Sequence, residues 1–242
     1  LLSALLLHIL SAAQSDNKHA IDSLFTHLDG SGKVMGAISI FKDGTEVYER
    51  AVGFADVENG VPITNSTIFR VGSVSKIFTS VIIMQMVDEG KLSLNTPLSN
   101  YFPDIPNASV ITVELMLRHR SGLFNFTSHP AYLNWMEQPK SRIELLELFI
   151  ENGAVFEPDA KTEYSNTNYV LLSFIAEEVD GFPFSQILER RIVKPLNLAY
   201  TSYGGPIDVN RGQALSYKLE GRWISESITD MSIPVGAGAI IS

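Results

Sequence analysis

The chain has 242 residues, of which 45% are hydrophobic, so it is long enough for one large domain or two small ones with a sizeable core. Its formal net charge is −9 and its Lys and Arg residues form no cluster, which argues against nucleic acid as a partner. The chain has no cysteine and its 5 histidines show no metal-ligand spacing, so we predict no disulfide, no metal and no other cofactor.

Residues 1–13 have the composition of a signal-peptide remnant. An apolar run from Leu1 to Leu10 is followed by small residues, as expected for cleavage before Gln14. The run is too short to span a bilayer, and a buried N-terminal helix is the alternative interpretation. We therefore expect a periplasmic or secreted protein without a stable membrane span. Because no initiator Met or basic segment precedes the run, we also expect that the true start of the protein is missing.

Strand patterns occur near both ends of the remaining chain, and helix patterns dominate its middle. An amphipathic helix pattern at Asn17–Leu28 is followed by a β-hairpin pattern between Val34 and Phe54, and a second hairpin pattern covers Ala214–Ile224. This order predicts an α+β fold, with one domain over residues 14–242 and a helical subdomain inserted at roughly residues 91–213. Its helices are predicted at Thr112–Arg118, Ser141–Asn152, Asn168–Val179 and Pro183–Ile192.

Ser73 and Lys76 form a Ser-x-x-Lys pair in front of a long apolar segment, residues 77–87. This spacing places the hydroxyl and the amine on one face of a helix, near the positive end of its dipole. Burial lowers the pKa of a lysine toward that of a usable base, which gives a nucleophile with its own proton acceptor. The structural alternative is a core helix, buried on most sides, with Ser73 as its N-cap; we expect this cap as well, but it does not explain a lysine that is costly to bury. A second pair, Ser15 and Lys18, shows that the spacing alone is not specific.

Tyr164 and Asn166 form a Tyr-x-Asn motif in the loop before the apolar helix pattern at Val170–Val179. A buried phenol beside an ammonium group can relay protons, and the amide can hold a substrate carbonyl or orient Lys76. The structural alternative is a loop tyrosine with satisfied hydrogen bonds. Because the same motif recurs at Tyr132 without a long apolar helix after it, the context of each motif has to separate the two interpretations.

Together, the two motifs resemble those of the serine β-lactamase and penicillin-binding-protein superfamily, which carries a Ser-x-x-Lys signature. The surrounding segments are similar to the class C β-lactamase-like branch of this superfamily. Residues 118–123 are similar to a loop motif of that branch, which usually has Thr where Arg120 stands. The resemblance runs from about Val34 to the end of the chain and is carried by Phe69–Thr79, Glu89–Leu98, Leu115–Leu123 and Tyr164–Leu172.

The resemblance implies an antiparallel sheet flanked by helices, a helical subdomain and a site between them. It implies that Ser73 is the acylated nucleophile and that Lys76 and Tyr164 share the proton transfers. Asn166 would bind the amide side chain of the substrate or steady Lys76. The backbone N–H of Ser73 would supply half of an oxyanion hole.

The third motif of the family, Lys-Thr-Gly or His-x-Gly on a strand, does not occur before Ser242. We therefore expect that the C-terminal strands are missing from this chain. An incomplete sheet exposes an unpaired edge, so we also expect the isolated fragment to be inactive and prone to association.

The function expected from these observations is that of a β-lactamase-related serine hydrolase acting through an acyl-enzyme on Ser73. Its partner would be a small-molecule or peptide substrate: a cell-wall peptide for a D-Ala-D-Ala carboxypeptidase or related peptidase, or a β-lactam for a β-lactamase. The alternatives are an esterase of the same branch and a non-catalytic penicillin-binding sensor. The joint presence of Ser73, Lys76 and Tyr164 favours an enzyme over a sensor.

Overall fold

The computed structural model of the protein describes residues 18–242, so the predicted signal peptide lies outside the described residues. The predicted α+β fold is confirmed, since helices are combined with small antiparallel strand pairs. The strands are β1 (Gly36–Lys42), β2 (Thr45–Val52), β3 (Phe54–Asp56), β4 (Val61–Pro62), β5 (Ser202–Tyr203), β6 (Tyr217–Glu220), β7 (Arg222–Ser225) and β8 (Ile240–Ile241). The α-helices are α1 (residues 18–30), α2 (Ser75–Asp88), α3 (Val113–Leu117), α4 (Tyr132–Trp135), α5 (Arg142–Asn152), α6 (Asn166–Asp180), α7 (Phe184–Leu188) and α8 (Lys194–Leu196).

Residues 18–68 and 207–226 form one compact unit. Strands β1 and β2 make the first predicted hairpin, in which Asp43 and Gly44 take the positive φ angles of 51° and 76° that a tight hairpin turn requires. Strands β6 and β7 make the second predicted hairpin, with Gly221 in the turn. Both hairpins are therefore confirmed, and β3 pairs antiparallel with β4 in the same unit.

Residues 69–206 and 227–242 form the second compact unit, which contains all of the predicted site residues. Its central element is α6, in which every residue from 167 to 176 is buried. Helices α2, α3 and α7 and the 3₁₀ turn Val235–Ala237 pack against α6. The limits of the inserted helical subdomain, residues 91–213, stay a prediction.

Local capping signals in the second unit are confirmed. Ser141 accepts a hydrogen bond from the backbone of Glu144, whose carboxylate accepts one from the Ser141 backbone, so the predicted capping box begins α5. Thr112 caps α3 through the backbone N–H of Leu115 at 3.3 Å. Gly90, with φ of 68°, follows the end of α2 as the predicted stop.

Helix α2 is buried or half-buried over most of its surface, as predicted, and exposes one stripe that includes Ile77 and Val81. Ile82 and Met86 are 0% exposed, whereas Ile77 and Val81 are 64% and 43% exposed. Helices α6 and α7, the turn Val235–Ala237 and the segment Glu189–Val193 pack against the other faces of α2. Apolar composition alone does not say which face of a helix receives no neighbour. Over the described residues, no helix combines the length and the apolar composition needed to cross a membrane.

Candidate active site

Ser73 lies in a 3₁₀ turn, Gly72–Val74, directly in front of α2. The prediction that it caps α2 was wrong, because Val74 occupies the N-cap position of α2 and no side chain forms a capping hydrogen bond at this helix end. The hydroxyl instead lies 2.7 Å from the hydroxyl of Tyr164 and 3.2 Å from Nζ of Lys76. The side chain is exposed and its hydrogen bonds are all to groups that can exchange protons.

Lys76 lies in the first turn of α2 and is buried, with 7% of its surface exposed. Its Nζ donates hydrogen bonds to Oγ of Ser73 at 3.2 Å, to Oδ1 of Asn166 at 2.8 Å and to the backbone oxygen of Ala237 at 2.7 Å. Within residues 18–242 it forms no salt bridge. Burial therefore lowers the pKa of Lys76, although the neighbouring Tyr164 opposes the shift.

Three oxygen atoms around one amine accommodate both protonation states of Lys76. The ammonium form donates one hydrogen to each oxygen. The neutral amine has two hydrogens, and the oxygens of Ala237 and Asn166 can only accept, so both hydrogens remain with them. The lone pair then faces Ser73, whose hydroxyl is the one group of the three that can donate. The geometry therefore directs the neutral amine at the Ser73 O–H.

Tyr164 precedes α6 and its side chain is 48% exposed. Its hydroxyl is 2.7 Å from Ser73 Oγ and 3.3 Å from Asn166 Oδ1, and its ring centroid is 4.9 Å from Lys76 Nζ. The ring of His119 packs against it, with 4.6 Å between the centroids. The phenol is therefore held between the serine, the lysine and an aromatic neighbour.

The His119 ring is neutral in this arrangement. Its Nδ1 accepts a hydrogen bond from the backbone N–H of Ser165 at 3.2 Å, which requires a free lone pair on that nitrogen. Burial lowers the pKa of His119, and the nearby charge of Lys76 lowers it further. The residue adopts a φ of 55°, in the left-handed region that is uncommon for residues other than glycine.

Asn166 begins α6, and the oxygen and nitrogen of its side-chain amide bind different partners. Its Oδ1 accepts from Lys76, and its Nδ2 donates to Oδ1 of Asn125 and to Oγ1 of Thr127, both at 3.1 Å. Its backbone N–H also donates to Oδ1 of Asn125, at 2.9 Å. Of the two roles expected for Asn166, this geometry favours steadying Lys76, because both amide hydrogens already have acceptors.

The structure brings together all four residues predicted from the sequence, namely Ser73, Lys76, Tyr164 and Asn166. Sequence reasoning missed the carbonyl of Ala237 and the side chains of His119, Asn125 and Thr127. Only His119 had a usable signal, because it stands within the loop motif at residues 118–123. Over the part of the chain that the structure describes, no group of three or more acidic or histidine side chains is arranged to hold a metal ion.

Gly236 lets the turn that carries the Ala237 carbonyl pack closely against α2 and α6. A Cβ at this position would lie 2.6 Å from Cβ of Ser173 and 2.8 Å from Oγ1 of Thr79. Since both neighbours are buried, we expect Gly236→Ala to displace the turn and to lower the free energy of unfolding by about 1–3 kcal/mol. Thermal unfolding measures this loss. Gly205→Ala is the matched control, because an added Cβ there has no atom within 4 Å; equal unfolding temperatures for the two variants would contradict the close approach.

The comparison with protein families decides where this fold and site belong. Residues 21–242 match the family whose model is described as Beta-lactamase. The chain belongs to the beta-lactamase family. This assignment confirms the resemblance drawn from the two motifs, and it covers both compact units of this beta-lactamase-family protein.

Two curated relatives illustrate the family. One is PbpX of Bacillus subtilis (strain 168), which is named as a penicillin-binding protein. It is 29% identical to this chain over 226 residues, which are 93% of this chain and 55% of PbpX. A teichoic acid D-alanine hydrolase from Staphylococcus aureus is 28% identical over 168 residues, or 69% of this chain and 41% of that protein. The chain thus spans about half the length of the curated relatives that it matches.

Solved structures show the same fold. The D-amino acid amidase from Ochrobactrum anthropi SV3, in complex with D-phenylalanine, aligns with a TM-score of 0.75 at 28% identity. The alignment covers 85% of this chain and 61% of the amidase chain. The octameric penicillin-binding protein homologue from Pyrococcus abyssi aligns with a TM-score of 0.76 at 30% identity and covers 93% of this chain and 53% of its own. The beta-lactamase-family relatives therefore include hydrolases of D-amino acid derivatives.

Proposed function

We propose that the protein is a serine hydrolase that forms an acyl-enzyme on Ser73 with D-aminoacyl esters or amides. The observation that carries this proposal is the position of Lys76, whose neutral amine faces the hydroxyl of Ser73. The names of two relatives support a D-aminoacyl group as the acyl part of the substrate, since one is a teichoic acid D-alanine hydrolase and another a D-amino acid amidase. A D-alanyl residue is also the acyl part of the D-Ala-D-Ala peptide considered from the sequence.

In the first half of the reaction, Oγ of Ser73 attacks the acyl carbonyl carbon while Lys76 accepts the hydroxyl proton. The bond between the acyl carbon and the leaving oxygen or nitrogen then breaks. The Tyr164 hydroxyl, 2.7 Å from Ser73 Oγ, donates a proton to the leaving group and regains one from Lys76. The products of this step are the acyl-Ser73 ester and a free alcohol or amine.

In the second half, a water molecule attacks the acyl-Ser73 ester and gives up its proton to the same pair of groups. The ester bond breaks, Ser73 recovers its proton and a free D-amino acid leaves. The backbone N–H of Ser73, in front of α2, is proposed as one donor to the oxyanion that forms in both halves. The same residues thus serve acylation and deacylation, with proton directions reversed.

The finer alternatives differ in leaving group and in the fate of the acyl-enzyme. A D-Ala-D-Ala carboxypeptidase releases an amino acid, an esterase releases an alcohol, and a β-lactamase opens a cyclic amide and hydrolyses the adduct quickly. A non-catalytic sensor keeps the adduct. A periplasmic or secreted location is part of this proposal and rests on the composition of residues 1–13.

A substrate panel tests the proposed acyl group. Protein expressed from the complete reading frame is incubated with D-alanine amide, D-alanine methyl ester, a D-Ala-D-Ala peptide, benzylpenicillin and the L-forms of the first two. We expect turnover of the D-aminoacyl ester or amide to exceed that of its L-form by at least about tenfold. Equal turnover of both forms would contradict the D-aminoacyl specificity, and a stable penicillin adduct without any turnover would favour the sensor.

A further inference from the structure

We propose that Asn125 and Thr127 are positioning residues that fix the orientation of the Asn166 side-chain amide and thereby direct Lys76 at Ser73. The inference rests on the proposed function, because it concerns the same proton transfer. Neither residue hydrogen-bonds to Ser73 or Lys76 within the described part of the chain. Both act through Asn166. The sequence predicted Asn166 as a site residue but did not predict the two residues that hold its amide.

The orientation of Asn125 follows from a backbone group. The N–H of Asn166 lies 2.9 Å from one terminal atom of the Asn125 side chain. A backbone N–H can only donate, so that atom is the amide oxygen. The other terminal atom of Asn125 is then its nitrogen, which donates to Oγ of Ser128 at 3.0 Å. The Asn125 oxygen is therefore fixed toward Asn166.

The orientation of Asn166 follows from that of Asn125. The same Asn125 oxygen lies 3.1 Å from a terminal atom of the Asn166 side chain, which must be the nitrogen because two amide oxygens cannot form a hydrogen bond. Oγ1 of Thr127 accepts the second hydrogen of this nitrogen at 3.1 Å. The Asn166 oxygen is then left for Lys76, at 2.8 Å.

The orientation matters because a flipped amide would present the wrong atom to Lys76. The Asn166 nitrogen would then face the lysine, and its hydrogens would compete with the Ser73 hydroxyl for the lone pair of the neutral amine. The ammonium form would also lose one of its three acceptors. A flip therefore weakens the base and turns it away from the nucleophile.

The segment that carries the two residues is firmly anchored. Phe126, between them, is 0% exposed, and its backbone N–H donates to Oγ1 of Thr167 at 3.3 Å. The Thr167 hydroxyl in turn donates to the backbone oxygen of Phe124 at 2.6 Å. The segment is thus tied to the first turn of α6, the same turn that carries Asn166, so the supports and the amide keep one geometry.

The test compares Thr127→Val, which keeps the shape and removes the acceptor, with Thr127→Ser, which keeps the hydroxyl. Acylation of Ser73 by a fluorescent penicillin or an activated D-alanyl ester is measured against pH in protein expressed from the complete reading frame. We expect Thr127→Val to slow acylation roughly tenfold, within the range for a misplaced catalytic group. We expect the acid limb of its pH–rate profile to move to lower pH, because a flipped Asn166 amide leaves the Lys76 ammonium with one acceptor fewer and so lowers its pKa. Thr127→Ser should keep both the acylation rate and the acid limb of the wild-type protein.

Asn125→Ala should have a larger effect than Thr127→Val, since it removes the anchor as well as an acceptor. Its matched control is Asn134→Ala, which truncates an exposed asparagine on α4 in the same compact unit. An NMR titration of the Lys76 side chain provides a second measurement that does not depend on turnover. A lowered pKa of Lys76 in Asn125→Ala, with the control unchanged, supports the inference.

The outcomes separate this inference from the function on which it rests. If the wild-type protein is labelled and Thr127→Val acylates within about twofold of it with the same acid limb, the positioning role is wrong. If Thr127→Val is slow only in proportion to a loss of folded protein, the role is structural and the inference is also wrong. If the wild-type protein is neither labelled nor active, the proposed function fails, and the inference fails with it.

Discussion

Replacing Ser73 with alanine is expected to abolish covalent labelling and to reduce hydrolysis to background, a loss on the order of 10⁶-fold in a site where nucleophile and base act as a unit. The hydroxyl forms the only bond to the acyl group in the proposed mechanism, and neither Lys76 nor Tyr164 replaces it. The measurement is the intact mass of the protein after incubation with a penicillin or an activated D-alanyl ester.

The same substitution should leave stability nearly unchanged. Because Ser73 is exposed and does not cap α2, its loss does not carry the cost of about 1 kcal/mol that a lost N-cap would. The matched control is Ser185→Ala, an exposed serine in the same unit, which should keep full labelling. Peptide mapping of the wild-type adduct distinguishes Ser73 from Ser15, the serine of the other Ser-x-x-Lys pair. A label that persists in Ser73→Ala would place the nucleophile elsewhere.

Features set by a few neighbouring residues could be predicted from the sequence. The two-residue turn at Asp43-Gly44 and the capping box of Ser141 with Glu144 depend on local backbone geometry and local hydrogen bonds. The spacing of Ser73 and Lys76 is also local, less than one helical turn. These interactions join residues only a few positions apart, so a short sequence pattern is enough to predict them.

Other features depend on contacts between distant parts of the chain. The carbonyl of Ala237 reaches Lys76 across 161 positions, and any residue type could have supplied a backbone oxygen. Asn125 reaches Asn166 across 41 positions, and nothing in its neighbours indicates this partner. The sequence therefore predicted which side chains meet in the candidate site, but not the groups that orient them.

The error at Ser73 has a similar origin. A serine before an apolar helix is a good N-cap by propensity, and the same pattern also fits a serine in a 3₁₀ turn that continues into the helix. The difference lies in the backbone, where Gly72 adopts a φ of 52° and begins the turn. The hydroxyl that a cap would have tied to the helix end is instead available to Lys76 and Tyr164.

Replacing Lys76 with methionine is expected to slow acylation by about 10²–10⁴-fold, the usual contribution of a general base. Methionine keeps the apolar stem in the buried space and removes the amine that faces Ser73. It also leaves the Ala237 oxygen without the Lys76 donor and the Asn166 oxygen with only the 3.3 Å contact to the Tyr164 hydroxyl, so we expect a loss of about 1–3 kcal/mol in unfolding free energy. Unfolding curves at the assay temperature confirm that the variant is folded while its acylation rate is measured.

The pH dependence of acylation identifies the base more directly. In the proposed mechanism neutral Lys76 is the active form, so we expect the rate to rise with pH through its pKa and then to level off. Because burial lowers that pKa, the midpoint of the rise should lie below the ordinary lysine value of 10.5 in the wild-type protein. Lys76→Arg should remain as slow as Lys76→Met at every accessible pH, since a guanidinium does not deprotonate. A loss of less than about tenfold in Lys76→Met, together with a larger loss in Tyr164→Phe, would instead make the phenol the main base.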